Sequence, residues 1–286
     1  MQLLIQILRG IVIGIANIIP GVSGGTMMVS MGIYDTLIYC ITHLFKDFKK
    51  SILTLLPYGI GALVGIIGLA SLLEFLFEVY PFPTATAFVG LILGGVPPII
   101  KKIDKKKLNI TALIIFLFFF TGIVLLSIFG NSNNVVNLTF SLVNVLTMIV
   151  VGCIAAATMI IPGVSGSMIL MLMGYYEPTL NAVSSFKDAL FSFNVAGMLQ
   201  PLGLLLPFVI GVGIGIFAVA KVIEWLLKRY STYTYCGVLG LVASSPIAIL
   251  IGIPFSSVSL TLWIVSILTF AIGFVVAHTL AKEEKA

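Results

Sequence analysis

Residues 18–24 read Ile18-Ile19-Pro20-Gly21-Val22-Ser23-Gly24, and residues 160–166 repeat them without a change as Ile160-Ile161-Pro162-Gly163-Val164-Ser165-Gly166. Both copies lie in strongly apolar sequence. A proline followed by glycines interrupts a helix there, because proline lacks an N–H and glycine is entropically costly to hold in one. Inside a bilayer an interrupted helix strands polar backbone groups, and these are tolerated only against protein or a water-filled cavity. The decisive question is why one chain makes the same interruption twice.

The 286 residues are 60% hydrophobic and only 9% charged, with a mean hydropathy of +1.22. Apolar runs long enough to cross a bilayer recur along the chain. The runs do not alternate apolar and polar residues, which excludes a β-barrel. The fold class is an all-α polytopic membrane protein. The net charge of +5 does not point to nucleic acid, because the cations cluster in short loops. Cys40, Cys153 and Cys236 lack metal or redox spacing, so no metal or other cofactor is expected. His43 and His278 stand alone near the ends of apolar segments and read as interfacial residues. The opening stretch runs straight into the first motif, without the charged prelude of a secretory leader, and reads as part of the fold.

The repetition extends beyond the motif. Met31, Gly32, Tyr34 and Asp35 correspond to Met173, Gly174, Tyr176 and Glu177. Pro57, Gly61, Gly65, Glu74, Tyr80, Thr84 and Gly90 correspond to Pro207, Gly211, Gly215, Glu224, Tyr230, Thr234 and Gly240. A first repeat over 1–138 therefore holds a broken segment at 3–43 and spans at 54–79, 84–100 and 110–130. A second repeat over 139–286 holds a broken segment at 139–175 and spans at 204–228, 234–252 and 258–280. The extra length of the second half is assigned to a loop at 175–203.

Three spans per half is an odd number. Each broken segment returns to its starting side, whether it dips in and out or crosses twice, so the second half must be inserted upside down. With the N-terminus in the cytoplasm, 13 of the 15 cations fall on the inner side: Arg9, Lys46, Lys49, Lys50, Lys101, Lys102, Lys105, Lys106, Lys107, Lys228, Arg229, Lys282 and Lys285. Only Lys187 lies in an outer loop, and Lys221 lies within a span. The positive-inside rule is met with both termini cytoplasmic. Inverted repeats with discontinuous helices are a transporter signature. Arm length before Pro20 favours re-entrant hairpins whose tips meet near mid-membrane.

The motif has an evident chemistry. Pro20 should end the first arm near Ile19. Gly21, Gly24 and Gly25 allow tight turning, and Ser23 and Thr26 suit the cap of the next helix. With Val22 this forms a turn of free amides at a helix N-terminus, which attracts anions and phosphate above all. Pro162, Gly163, Val164, Ser165, Gly166 and Ser167 repeat it. Close helix packing is the competing explanation for small residues, and it suits Gly61/Gly65 and Gly211/Gly215 better. The stretch 21–25 also fits the G-x-S-x-G pattern of hydrolases. A serine nucleophile needs a base beside it, however, and the two histidines are expected at the membrane surfaces. An intramembrane serine hydrolase is the weaker reading, and no enzyme activity is expected.

Ionisable residues within spans are expensive and usually functional. Glu74 and Glu224 are repeat partners, expected to titrate or hold a coupling proton or sodium ion. Lys221 lies one turn before Glu224 and either pairs with it or meets an anionic headgroup. Arg9, about 16 Å along a helix from Pro20, either anchors the chain at the inner surface or attracts phosphate. Asp35 and Glu177 are expected to cap or hydrogen-bond where the hairpins exit.

The stretches RGIVIGIANIIPGVSGGTMMVSMGIYDTLI and GCIAAATMIIPGVSGSMILMLMGYYE resemble the paired signature of the PopT-type polyprenyl-phosphate transporters, and the likeness covers the whole chain. The resemblance implies a bacterial plasma-membrane flippase. It would return undecaprenyl phosphate, or a related polyprenyl phosphate, from the outer to the inner leaflet for reuse in peptidoglycan and other envelope polymers. It also implies that Pro20 to Thr26 and Pro162 to Ser167 form the substrate site. A transporter of a small soluble anion is the alternative that the residues leave open.

Overall fold

The computed structural model describes residues 2–18, 22–130, 136, 138, 141–251, 253 and 259–282. Thirteen α-helices follow one another among them: α1 (Gln2–Ile18), α2 (Gly24–Ser30), α3 (Tyr34–Thr42), α4 (Phe48–Val79), α5 (Pro81–Gly94), α6 (Val96–Lys102), α7 (Ile110–Phe129), α8 (Leu142–Ile160), α9 (Gly166–Leu172), α10 (Tyr176–Phe191), α11 (Val195–Arg229), α12 (Ser231–Ile251) and α13 (Leu260–Lys282). Seven stretches are long and apolar enough to cross a membrane: Phe48–Leu69, Pro81–Lys102, Ile110–Phe129, Leu142–Ile160, Val195–Arg229, Ser231–Ile251 and Leu260–Ala281. Large apolar side chains point outward along α7 and α13, among them Ile114, Phe118, Ile264 and Ile267, as a lipid-facing surface requires.

The second motif ends a helix as its proline dictates. α8 stops at Ile160, and Ile161, the residue before Pro162, is extended with φ −71° and ψ 118°. The stretch after each motif differs from the single arm that the sequence suggests. It is cut into two helices, α2 and α3 in one half and α9 and α10 in the other. Gly32 and Gly174 make both cuts, each with φ 76°, a conformation that a side chain resists. Around the first, Gly32 N–H donates to Val29 O and Ile33 N–H to Met28 O. Around the second, Gly174 N–H donates to Met171 O and Tyr175 N–H to Leu170 O. Both are Schellman closures, and they explain why Met-Gly is kept in both halves.

The loop expected at 175–203 is mostly helix. α10 occupies Tyr176–Phe191 and α11 already begins at Val195, its first turn capped by the Asn194 side chain, which accepts from Gly197 N–H at 3.0 Å. Moderate hydropathy hid α10, which carries Glu177 in its first turn, where a carboxylate suits the helix dipole.

Glycines set the main packing. A Cβ placed on Gly61 would lie 2.1 Å from Ile7 O, and one on Gly211 would lie 2.0 Å from Ile149 O. Gly10 faces Tyr58 O as Gly152 faces Phe208 O, and Gly65 faces Ile11 as Gly215 faces Cys153. The pairs α1–α4 and α8–α11 are thus built alike, with backbones in direct contact. The remaining long helices cross between halves. α5 packs on α13 through Gly90 against Phe270 and Gly273 against Ala87, while α12 packs on α7 through Gly240 against Phe116.

Candidate functional site

The two motifs touch one another, and Val22, Met27 and Ile160 beside the contact belong to the main buried cluster. Gly163, at φ 80°, turns its N–H onto Thr26 Oγ1 at 2.6 Å. Ser23 Oγ donates to Ile161 O at 3.5 Å, and Gly25 faces Ile160 O so closely that a Cβ there would sit 2.8 Å away. Val22, Ser23, Thr26, Pro162 and Ser165 are buried, and Ser165 Oγ pairs with Ser167 Oγ at 2.9 Å. Val164, Gly166 and Ser167 are partly exposed. Pro20 and Gly21 lie outside the described residues.

The capping role expected of the motif hydroxyls is not what is found. Ser23 and Ser165 occupy the N-cap positions of α2 and α9 with extended backbones, but neither side chain caps its own helix. Ser23 and Thr26 reach across to the other motif instead, and Ser165 turns to Ser167. One amide of the second turn, that of Gly163, is therefore already engaged. What the joined tips present is a cluster of hydroxyls, whose protons turn to whichever acceptor arrives. Ser23 has a carbonyl for its partner rather than a base, while His43 Nδ1 lies 3.0 Å from Thr42 Oγ1.

Further buried hydroxyls, not singled out in the sequence, surround the tips. Ser30 Oγ donates to Ile92 O at 3.4 Å, and Ser244 and Ser245 both donate to Leu241 O, the carbonyl against which Gly163 packs. Pro246, one residue on, is the signal in the sequence that α12 is perturbed at this level.

The charged candidates separate. Glu224 is nearly buried and collects three basic groups: Lys228 Nζ at 2.6 Å, His43 Nδ1 at 3.6 Å and Lys221 Nζ at 3.9 Å. Lys221 is the loosest of the three and also lies over the Phe217 ring. Lys228 sits one turn after Glu224, a pairing legible in the spacing, whereas His43 arrives from the other half and was not. Glu74 is exposed and makes no ion pair among the described residues. Arg9 is buried and donates from Nη2 to Leu280 O at 2.5 Å, in the last turn of α13. It ties the middle of α1 to the last turn of α13 and hydrogen-bonds to neither motif among the described residues. Asp35 accepts from Lys102 Nζ at 2.6 Å and Tyr235 OH at 2.5 Å, joining α3 to α6 and α12, while Glu177 is exposed.

These features define a multi-pass helical membrane protein with two interrupted helices meeting at an internal hydroxyl cluster. The family model described as undecaprenyl phosphate translocase-like matches residues 13–262. A polyprenyl-phosphate transporter of Vibrio cholerae serotype O1 is 34% identical over 257 residues, covering 84% of this chain and 75% of that protein. One from Staphylococcus aureus is 32% identical over 288 residues, covering 97% of this chain and 96% of that protein. No solved structure matches the chain. The chain belongs to the undecaprenyl phosphate translocase-like family.

Proposed function

We propose that this chain carries a polyprenyl phosphate, undecaprenyl phosphate in the first place, across the bacterial plasma membrane, returning it from the outer to the cytoplasmic leaflet for envelope synthesis. The observation that carries the reading is the contact between the two Pro-Gly-Val-Ser-Gly tips through Thr26 and Gly163, in a chain whose relatives are named polyprenyl-phosphate transporters.

The physical problem is the headgroup. A phosphate monoester carries about −1.5 to −2 charges near pH 7. Moving it bare through about 30 Å of hydrocarbon is prohibitive. Ser23, Thr26, Ser165 and Ser167 would supply donors in place of water at mid-depth, while the prenyl tail stays in lipid. Pro20, Gly21, Val22, Gly24, Gly25, Pro162, Gly163, Val164 and Gly166 shape the two turns around them. The halves are inserted in opposite senses, with both termini cytoplasmic and the tips re-entrant, and the site opens to each side in turn. Glu74 and Glu224 are the candidates for coupling to a proton or sodium ion. Lys221, exposed toward the surface beside Glu224, meets the incoming phosphate. Arg9 serves by holding α1 to α13.

The test is reconstitution. Purified protein in vesicles loaded with undecaprenyl phosphate in one leaflet should speed its appearance in the other over protein-free vesicles, and inorganic phosphate should not be taken up. Uptake of inorganic phosphate without leaflet exchange would reassign the chain to soluble anions.

A further inference from the structure

The two halves are alike in sequence but not in posture. α3 and α10 are repeat equivalents, each following a Schellman glycine with φ 76°, and each should relate alike to its surroundings. They do not. α3 packs on α4 of its own half and also reaches across to α11 of the other. α10 packs on α11 of its own half, and no comparable packing joins it to α4 among the described residues. Along α11, Gln200 beside α10 and Glu224 beside α3 are 24 residues apart, which is about 36 Å of helix, so the two contacts lie at opposite ends of the molecule.

We infer that the α3 end is a closed gate and the α10 end an open entrance, with α3 held shut by two polar latches. In one latch His43 lies 3.6 Å from Glu224, beside Lys228, and Phe45 packs edge-on against Phe217. In the other, Asp35 is held by Tyr235 and Lys102. At the other end α10 borders a cavity of about 510 Å³ on its α11 side, lined by Asn181, Ser185 and Gln200. By repeat position Ser185 stands where His43 stands, and Asn181 where Tyr39 stands. These counterparts of the first latch line the cavity and are not closed onto α4, the helix that carries Glu74, among the described residues.

The chemistry of the two ends is unequal as well. The repeat counterparts of Lys221, Glu224 and Lys228 are Ser71, Glu74 and Glu78. α10 swinging onto the Glu74 end of α4 would meet two carboxylates, with the lysines of that helix, Lys49 and Lys50, at its far end, whereas α3 on α11 meets a carboxylate flanked by two lysines. The ion pairs therefore favour the state with α3 closed and α10 open, and the chain waits with its entrance on the α10 side. This inference rests on the transport reading above. It adds that each cycle requires α3 to leave α11 and α10 to approach α4.

The test uses the gate itself and needs no transported lipid for its first readout. In full-length protein with Cys153 and Cys236 replaced by alanine, native Cys40 on α3 is 5% exposed and should react slowly with a maleimide. Glu224→Gln and Asp35→Asn should each raise that rate several-fold. Unchanged rates in both variants overturn the proposal. A second measurement guards against misfolding of those variants. In protein lacking all three native cysteines, Phe45→Cys with Phe217→Cys should cross-link at rest, abolish leaflet exchange, and recover it on reduction. Exchange that continues in the cross-linked protein also overturns the gate. Absence of exchange in the wild-type protein would instead refute the function, leaving the labelling result to stand on its own.

Discussion

Thr26 shows how much rests on one hydroxyl. Fully buried, it accepts the hydrogen bond of Gly163 N–H, 137 residues away in sequence. Thr26→Val keeps the shape but leaves that buried amide without a partner, a loss of about 1–3 kcal/mol. It should lower the melting temperature in detergent, and Thr26→Ser should restore it. An unchanged Thr26→Val midpoint would show that the tips do not depend on this bond. Gly163→Ala should be worse tolerated, since φ 80° disfavours a side chain and the new Cβ would lie 2.5 Å from Leu241 O. At this scale the sequence told which residues matter but not whom they touch. A serine or threonine after Pro-Gly reads equally well as a local cap, and only the fold shows Ser23 and Thr26 reaching across the repeat. His43 was hidden for the same reason. An isolated histidine at the end of an apolar segment carries no mark of a carboxylate arriving from the other half.

Among the elements, close helix contact is the dominant force. Four glycines, Gly61, Gly65, Gly211 and Gly215, bring backbones together with no room for a Cβ, whereas Gly213, on the same helix as the last two, faces open space. Gly211→Leu should therefore split α8 from α11 and abolish a monodisperse peak in size-exclusion chromatography. Gly213→Leu should elute like the wild type, and equal behaviour of the two would refute the packing. The spacing of four made this face legible, because small residues at that interval serve close approach in lipid. The exchange of α5 and α12 between halves was not legible. Gly90 and Gly240 match as repeats, yet each meets phenylalanines of the opposite half, and no local pattern names a distant partner. The helix α10 was missed because its composition resembles a surface loop, although Gly174 before it marks the break.

At the scale of the molecule, lysine and arginine positions argue for two halves of opposite sense, with the meeting tips deep between them. Cysteines introduced at Lys46 and Lys101 should be labelled by an impermeant maleimide only from the cytoplasmic side, and one at Lys187 only from outside. Labelling of all three from one side would remove the inverted arrangement. The central claim is that both tips hold the phosphate together, and it is tested most directly by leaflet exchange in the Ser165→Ala, Ser167→Ala double variant. Hydrogen bonds to a charged group are worth about 1.5–3 kcal/mol each, and every 1.4 kcal/mol is about tenfold in rate. The variant should keep its melting temperature and move undecaprenyl phosphate between leaflets at least about tenfold more slowly than the wild type. Exchange at the wild-type rate in a folded variant would mean that the headgroup passes somewhere else.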